Sequence, residues 1–480
     1  MLTTKFPSQK PIPPHSPPNR RDIFQSRLHI GANLGGWFCL ERWIVPGMFS
    51  AVEKKYSWDE SEHTAVTSAV KALGISKTKQ KWNKHYDTFI TEDDFKYLSQ
   101  HGLNAVRIPL GYWIVGKEFS QGTPFENVAE VYSDAWSKVN RAIDLAAKYG
   151  ISVLLDLHGV QGGANPDAHS GVIGGGKFFE EKNSVSSAVR TVKAMAEKVR
   201  GRENVIGIQI VNEASAHVDP ITYYASAAAA IRAADPALKM FISDTWDRGK
   251  YLDYVRDKPG VVVDTHIYRC FSDKDVKASP QDLIASAKGD ESNLSTRAIV
   301  GEYSCTLSKT SWEKSNPNDH LQLRREYGCA QTRAFSRSSA GFFFWTYKFE
   351  EGRGGEWDLR EMLDSKCLLF PHTQLGHKPP ANSDALASEA TRSHANYWDS
   401  QAKGRQMQHW RFQEGFQTAW KDSDVFWSFS SSLIGAREEF REYRKLSHEK
   451  EKGGGEFLWE FEHGYDAGLK AFRQAVKSDI

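Results

Sequence analysis

Eight short runs rich in β-branched and other apolar residues recur between residues 28 and 345, and stretches with helical periodicity separate several of them. The runs are Leu28–Leu34, Asn104–Pro109, Ile151–Leu157, Val205–Val211, Lys239–Ser243, Val261–His266, Arg297–Gly301 and Gly341–Trp345. Strands that alternate with helices build parallel sheets, because the chain must cross back before the next parallel strand can pair. Eight such strands therefore predict an α/β fold, a (β/α)8 TIM barrel with insertions.

The segments outside this pattern predict the domain organisation. The N-terminus is rich in Pro, a Pro/Ser-rich stretch follows the last strand, and the C-terminal region spaces Trp410, Phe416, Trp420 and Trp427 near one helical face. We expect that helical extension to pack on the barrel rather than to form a separate carbohydrate-binding module. The predicted parts are a flexible arm (1–25), the catalytic barrel (26–370), a linker (371–392) and the aromatic-rich helical extension (393–480).

Charge and hydropathy exclude two classes of protein. The chain has 62 Lys and Arg against 60 Asp and Glu, a formal net charge of +2, which lacks the one-sided basic field of nucleic-acid binding. No stretch approaches the roughly 18 consecutive apolar residues of a spanning helix. We therefore expect neither a nucleic-acid partner nor a transmembrane segment; the oligomeric state is left open.

Cysteine usage bears on the compartment. The five cysteines are few and odd in number and include no CxxC pair, which argues against a disulfide framework or a zinc ribbon. The first residues also lack the continuous apolar core of a secretory signal. These features predict a cytoplasmic protein.

Polar residues end most of the predicted strands. Barrel enzymes carry their reactive residues at the carboxyl ends of the strands, where the eight connecting loops meet. Polar groups in such positions are costly to bury without partners, so they indicate a site. The strand-end residues are Glu41, Arg107, Tyr112, Trp113, Asp156, His158, Asn212, Glu213, His266, Tyr268, Glu302, Tyr303 and Trp345.

Two glutamates, Glu213 and Glu302, end the fourth and seventh strands and can face each other across the barrel mouth. Glycoside hydrolysis needs such a pair, one carboxylate to attack the anomeric carbon and one acid to protonate the leaving oxygen. Asn212 beside the acid suits a hydrogen bond to the sugar 2-hydroxyl. Arg107 would keep the nucleophile ionised, and Trp345 offers a flat face for the sugar ring.

Seven motifs carry a family resemblance: GANLGGWFCLERWIVPGMF, GLNAVRIPLGYW, VLLDLHGVQGGANPDAHSG, VIGIQIVNEA, VVVDTHIYRCFS, IVGEYS and GFFFWTYKFE. In this order, from about residue 29 to 350, they resemble glycoside hydrolase family 5, in its fungal exo-β-1,3-glucanase branch. The resemblance implies a retaining β-glycosidase with Glu213 as acid/base and Glu302 as nucleophile. It also implies sugar-binding or site-orienting roles for Glu41, Arg107, His158, Asn212, His266, Tyr268 and Trp345.

Departures from the family pattern bear on the substrate. Ala214 and Tyr303 follow the two glutamates where the branch commonly has Pro and Trp. The family's pair of Phe residues that clamp the incoming glucan is also half missing, because one matches Phe271 but the other is replaced within Asn165–His169. We therefore expect activity on oligosaccharide, glycolipid or small-molecule β-glucosides rather than on long 1,3-glucan. Asp167 and His169 are interpreted either as specificity residues or as solvated loop residues.

Cofactors and metals are not expected. The run Gly171–Phe178 approaches a phosphate-binding loop, but Phe stands where Ser or Thr must reach Mg²⁺. The sequence also contains no HExxH motif, EF-hand loop or zinc-ligand spacing. The alternative to an enzyme is a non-catalytic sugar-binding or scaffold protein on the same barrel, which the presence of both glutamates disfavours.

Overall fold

A computed structural model describes residues 5–7, 14–52, 61–352, 354–370, 383–401 and 405–476. The chain divides into two compact units. The barrel unit comprises Met1–Ile12 and His29–Leu369, and the helical unit comprises Pro13–Leu28 and Phe370–Ile480. The barrel unit is thus one continuous stretch after residue 28, whereas the helical unit draws on both ends of the chain.

Eight parallel strands close into a barrel in sequence order, β1 pairing with both β2 and β8. The strands are β1 His29–Asn33, β2 Ala105–Gly111, β3 Ser152–Gly159, β4 Val205–Gln209, β5 Lys239–Ser243, β6 Val261–Ile267, β7 Ala298–Tyr303 and β8 Gly341–Phe344. Each lies within or overlaps one of the eight predicted runs. The predicted (β/α)8 fold is therefore confirmed.

Helices follow the strands and fill the insertions. In chain order they are α1 Arg20–Ser26, α2 Glu62–Thr88, α3 Glu92–Gln100, α4 Tyr112–Val115, α5 Ala135–Lys148, α6 Lys182–Lys198, α7 Ile221–Ala234, α8 Arg248–Val255, α9 Asp273–Val276, α10 Pro280–Gly289, α11 Lys309–Trp312, α12 His320–Ser338, α13 Leu359–Asp364, α14 Ser383–Gln401, α15 His409–Ser430, α16 Arg437–Lys452 and α17 Leu458–Ala475. Within the described part of the chain, none is both long and apolar enough to cross a lipid bilayer.

Apolar side chains from seven of the strands pack into one buried cluster, as the filled interior of a barrel requires. Its members are Ala105, Leu154, Ile206, Phe241, Val262, Ile299, Ala340 and Phe343. Gly31 on β1 makes room for it, because a Cβ there would lie 2.3 Å from the Phe343 ring. The barrel is thus held by an apolar layer, and polar side chains are left to the carboxyl ends of the strands.

Local sequence signals set the helices between β1 and β2. Thr91 and Asp94 form a capping box at the start of α3, with the Asp94 carboxylate accepting the Thr91 backbone N–H at 2.7 Å. The long helix α2 is broken at Gly74, whose φ of +78° is a backbone conformation that glycine adopts without steric cost. Buried Glu62 at its start accepts the Leu40 N–H at 2.8 Å. This contact ties the insertion to the segment that follows β1.

The helical unit includes residues that the sequence analysis assigned to a flexible arm. Asn19 and Asp22 cap α1, and Ile23 joins the buried cluster of Phe426, Ile434 and other residues of the C-terminal helices. The Leu28 N–H also donates to the Leu433 carbonyl at 2.7 Å. The arm prediction therefore differs from the structure at residues 14–25, because burial of apolar side chains against distant helices orders this segment.

The linker prediction also differs from the structure. Helix α14 begins at Ser383, ten residues before the predicted extension, while residues 371–382 lie outside the described residues. On α15, Phe416, Trp420 and Trp427 are buried as the helical spacing predicts, but Trp410 is 42% exposed. The expected packing of the extension on the barrel stays a prediction.

Candidate active site

A cleft of about 910 Å³ lies at the carboxyl ends of the strands. Nine of the ten predicted site residues line it: Glu41, His158, Asn212, Glu213, His266, Tyr268, Phe271, Glu302 and Trp345. The tenth, Arg107, is fully buried behind them. Both carboxyl groups that the sequence selected thus face one cavity large enough for a sugar and part of its aglycone.

Arg107 on β2 organises this cleft from below. Its guanidinium donates to Glu302 Oε1 at 3.0 Å and to Asn212 Oδ1 at 2.7 Å, and it lies 3.0 Å from Asp156 Oδ2. Further bonds to Asn33 and Gln209 satisfy the rest of its donors. Burial opposes the charge, but the surrounding carboxylates raise the pKa of Arg107, so it stays charged. One buried cation therefore holds Glu302 and Asn212 in place.

Glu302 lies at the end of β7 with both carboxylate oxygens engaged. Oε1 accepts from Arg107, and Oε2 accepts from the Tyr268 hydroxyl at 2.8 Å. Burial raises the pKa of Glu302 and the charge of Glu213 adds to it, while His266 and Arg107 oppose the shift. The two bonds fix the direction in which the carboxylate points into the cleft.

Glu213 follows β4 in a left-handed backbone conformation, with a φ of +42°. His266 Nδ1 lies 2.8 Å from its Oε1, and His169 Nε2 lies 3.3 Å from its Oε2. Burial alone would raise the pKa of Glu213, but the His266 hydrogen bond and the neighbouring imidazoles lower it to about 2. The two carboxyl groups therefore titrate far apart, so that between the two pKa values they bind one proton together.

His266 connects the two carboxyl groups. Its Nδ1 also lies 3.4 Å from Glu302 Oε2, and its Nε2 lies 3.1 Å from Asp264 Oδ2. Burial opposes a charge on this ring, but the carboxylates of Glu302 and Asp264 raise its pKa well above the usual value. Glu213, His266 and Glu302 bring their ligand atoms within 4.8 Å of one another, a spacing that could hold a metal ion.

The inner end of the cleft is shaped for a sugar ring. Trp345 lies parallel to the His158 ring, with 5.7 Å between ring centroids, and His158 Nδ1 is held 2.7 Å from Asp156 Oδ2. Glu41 adds a carboxyl group to the lining of the cleft, and this group accepts a hydrogen bond from the Trp43 indole at 2.9 Å. Burial raises the pKa of Glu41 to about 7. A flat aromatic face and a carboxyl group suit the apolar face and the hydroxyls of a pyranose.

Three tryptophans that the sequence analysis did not select, Trp43, Trp246 and Trp357, form the outer wall. Trp246 is 57% exposed and Phe271 is 69% exposed, and the Phe271 ring lies 6.2 Å from that of Trp357. Trp246 follows β5, the strand at whose carboxyl end the sequence predicts no site residue. The cleft thus has aromatic faces beyond the incomplete Phe clamp.

His169 is one of the two loop residues for which the sequence left open a specificity role or simple solvation. It lies in the loop after β3, and its Nε2 is 3.3 Å from Glu213 Oε2 and 3.8 Å from Asp167 Oδ2. Burial opposes its charge, but the Asp167 side chain and the nearby glutamates raise the pKa of His169 to about 9. The loop therefore places a cation against Glu213, which favours the site interpretation over a solvated loop.

Comparison with known proteins places both parts of the chain. The model of cellulase (glycosyl hydrolase family 5) matches residues 61–351, and that of the glucan 1,3-beta-glucosidase 3 C-terminal domain matches residues 380–476. Glucan 1,3-beta-glucosidase 3 of Schizosaccharomyces pombe is 34% identical over 94% of this chain and 96% of its own length. A glycosyl hydrolase of Saccharomyces cerevisiae is also 34% identical, over 98% of this chain and 96% of its own.

Among solved structures, rutinosidase from Aspergillus niger superposes with a TM-score of 0.58 at 18% identity, over 72% of this chain and 99% of its own. That likeness supports the barrel fold. The family model and the two relatives cover the segments that hold Glu213, Glu302 and Arg107. This chain therefore belongs to glycoside hydrolase family 5, in the branch of the fungal exo-β-1,3-glucanases, and is a β-glycosidase.

Proposed function

We propose that this enzyme is a retaining β-glucosidase in which Glu302 is the nucleophile and Glu213 the acid/base. The observation that carries the proposal is that oxygens of the two carboxyl groups lie within 4.8 Å of each other. Retaining enzymes keep their carboxyl groups about 5–5.5 Å apart, whereas inverting ones leave about 6.5–9.5 Å for a water molecule. A separation of at most 4.8 Å between these oxygens supports the retaining class.

The hydrogen bonds support the division of roles. Glu302 is held by Arg107 and Tyr268 in a fixed orientation, as attack on an anomeric carbon requires. Glu213 instead contacts two imidazoles and lies nearer the open side, with 18% of its side chain exposed against 6% for Glu302. A group that must reach both the departing oxygen and incoming water belongs in the more open position.

The reaction then runs in two displacements. Glu302 attacks the anomeric carbon as the bond to the leaving oxygen breaks, and Glu213 gives its proton to that oxygen. Water enters, Glu213 takes one of its protons, and the hydroxide oxygen displaces Glu302 to release the sugar with its original configuration. In this proposal Asn212, held by Arg107, binds the sugar 2-hydroxyl.

The singly protonated pair needs its proton on Glu213 before the first step. His266 Nδ1 contacts both carboxyl groups, at 2.8 Å and 3.4 Å. The imidazolium can give its Nδ1 proton to Glu213 and take the proton of Glu302 in its place, while Asp264 holds the other ring nitrogen. This exchange delivers the ionised nucleophile and the protonated acid without a change in total charge.

The substrate class that we propose is the terminal β-glucosyl unit of short 1,3-linked glucans or of β-glucosides with an apolar aglycone. The name glucan 1,3-beta-glucosidase of the Schizosaccharomyces pombe relative supports the first. The exposed rings of Trp246 and Phe271 at the outer cleft support binding of a flat or apolar aglycone. The non-catalytic scaffold alternative has no support from a site with both carboxyl groups in place.

Trapping of the glycosyl-enzyme tests the assignment. A 2-deoxy-2-fluoro glucoside with a good leaving group should label Glu302, and Glu302→Ala should lose nearly all turnover with every leaving group. Glu213→Ala should keep glycosylation by a dinitrophenyl glucoside, and azide should speed its turnover. A fluoro-sugar found on Glu213, or an α-anomer as the first product by NMR, would contradict the proposal.

We also propose a cytoplasmic site of action. All five cysteines are free thiols in the structure, and Cys39, Cys305 and Cys367 are buried. Buried thiols persist in a reducing compartment, which supports the proposal. Microscopy of a fluorescent fusion in the source cells would test it, and fluorescence confined to the wall or the secretory pathway would contradict it.

A further inference from the structure

Two histidines and a glutamate from three different helices meet in the helical unit, in a cluster separate from the catalytic cleft. His394 of α14 and His409 of α15 both approach Glu460 of α17, with Nε2 and Nδ1 at 3.1 Å and 2.7 Å from its Oε2. The side chains of Glu460 and His394 are 0% and 6% exposed. Because the histidines lie 66 and 51 residues from Glu460 in sequence, no motif spacing could reveal the cluster.

The neighbours of this cluster hold each group in one orientation. Asp399 Oδ1 lies 3.0 Å from His409 Nε2, and the Gln408 N–H donates to Glu460 Oε1 at 2.8 Å. The His394 ring stacks on Phe412, with 4.1 Å between the centroids. A carboxylate on the far nitrogen of an imidazole and a bonded second oxygen on the glutamate are the outer contacts that metal-binding side chains have.

The ligand atoms of the cluster lie within 4.8 Å of one another, and the surroundings of the His409 ring favour a positive charge. This ring lies between two carboxylates, Glu460 at Nδ1 and Asp399 at Nε2. A metal ion beside Nδ1 would face both carboxylates and could also bind His394 Nε2, which already lies 3.1 Å from Glu460 Oε2.

We propose that His394, His409 and Glu460 bind a divalent transition-metal ion, and we commit to Zn²⁺ because two imidazoles and one carboxylate are a ligand set that Zn²⁺ takes. Water would complete the coordination on the side of His409, whose side chain is 19% exposed. Tetrahedral ligands at about 2.1 Å stand roughly 3.4 Å apart, so Nδ1 and Oε2 must separate by roughly 0.7 Å. The ion would join α14 to α15 and α17 and would take no part in glycoside hydrolysis.

Metal binding to the full-length protein tests this proposal. After dialysis against a chelator, calorimetric titration with Zn²⁺ should give one ion per chain, and Zn²⁺ should raise the midpoint of thermal unfolding by at least about 2 °C. Co²⁺ in its place should give the intense visible absorption of a four-coordinate site. Hydrolysis of an aryl β-glucoside at low temperature should not change with the metal.

Variants identify the ligands. His394→Asn and Glu460→Gln should abolish binding of Zn²⁺, and Asp399→Asn, which changes an exposed residue that contacts His409, should weaken it about 10–100-fold. His463→Asn is the matched control, because this ring packs on Trp459 in α17 with 4.8 Å between centroids but offers no ligand to the cluster. Wild-type protein that binds no Zn²⁺ at micromolar concentration, or binding that survives in His394→Asn and Glu460→Gln, would overturn the proposal.

Discussion

Replacement of His169 by Asn should move the pH profile of the enzyme upward. His169, with a pKa raised to about 9, is a cation at neutral pH and lies 3.3 Å from Glu213 Oε2. A positive charge at this distance favours ionised carboxylates, so it lowers both pKa values of the Glu213–Glu302 pair. The alkaline limb of the kcat/KM profile reports loss of the proton that the pair shares. Removal of the His169 cation should therefore move this limb to higher pH.

The size of this shift follows from the distance and the exposure. An opposite charge within about 4–6 Å lowers a carboxyl pKa by about 1–3 units. The side chains of His169 and Glu213 are 19% and 18% exposed, so water screens the interaction in part. We therefore expect the alkaline limb of His169→Asn to lie about 1–2 units higher, which equals about 1.4–2.7 kcal/mol of lost stabilisation of the ionised pair.

The assay is kcat/KM for an aryl β-glucoside that needs a protonated leaving group, measured from acid to alkaline pH. Asp167→Asn is the matched control, because it keeps the imidazole and removes a carboxylate that is 68% exposed and 3.8 Å from it. That control should shift the limb by less than about half a unit. The leaving group of a dinitrophenyl glucoside needs no protonation. With that substrate the wild-type enzyme and both variants should therefore show no alkaline limb in kcat/KM. A His169→Asn limb that stays in place or falls would refute the electrostatic role.

Three further outcomes are expected. Asp167→Phe should restore part of an aromatic clamp, which is worth about 1 kcal/mol. The ratio of kcat/KM for laminari-oligosaccharides to that for aryl glucosides should then rise roughly fivefold, and Asp167→Asn should leave this ratio unchanged. Ile23→Ala should lower the free energy of unfolding of the helical unit by about 2–5 kcal/mol in chemical denaturation, because this side chain is only 4% exposed. An unchanged free energy of unfolding would support the flexible arm at residues 14–25 instead. A chain that ends after Leu369 should be poorly soluble, because Ile23 and Phe24 lose the helices that bury them, and a truncated protein as soluble and heat-stable as the full chain would contradict this.

The barrel was predictable because its signal is local. Each β-branched run carries its own strand preference, and the carboxyl ends of eight parallel strands must meet at one mouth. That rule, together with the family resemblance, predicted that Arg107, Glu213 and Glu302 share one site. It left out Trp246, because an aromatic residue in a loop does not differ in sequence from one that packs inward.

The helical unit was less predictable because its contacts are long-range. Ile23 packs with Phe426 and Ile434, and nothing in the sequence near Ile23 indicates partners so far along the chain. A Pro-rich N-terminus is also typical of a disordered segment, and the burial of two apolar residues outweighs that composition. The contact between His394 and Glu460 could not be predicted for the same reason, because the two residues lie far apart in sequence and each alone is an ordinary residue of a helix.

Helix α1 of the helical unit precedes all eight barrel strands in the chain, whereas its partner helices follow them, which has a consequence for synthesis on the ribosome. Residues 14–28 leave the ribosome before the strands, but their partner helices begin only beyond residue 370. At about 5–20 residues per second the first helix waits tens of seconds for its core. Chaperones that shield apolar N-terminal segments should therefore hold α1 longest, and slow codons placed within the barrel should lengthen that wait without changing the final fold.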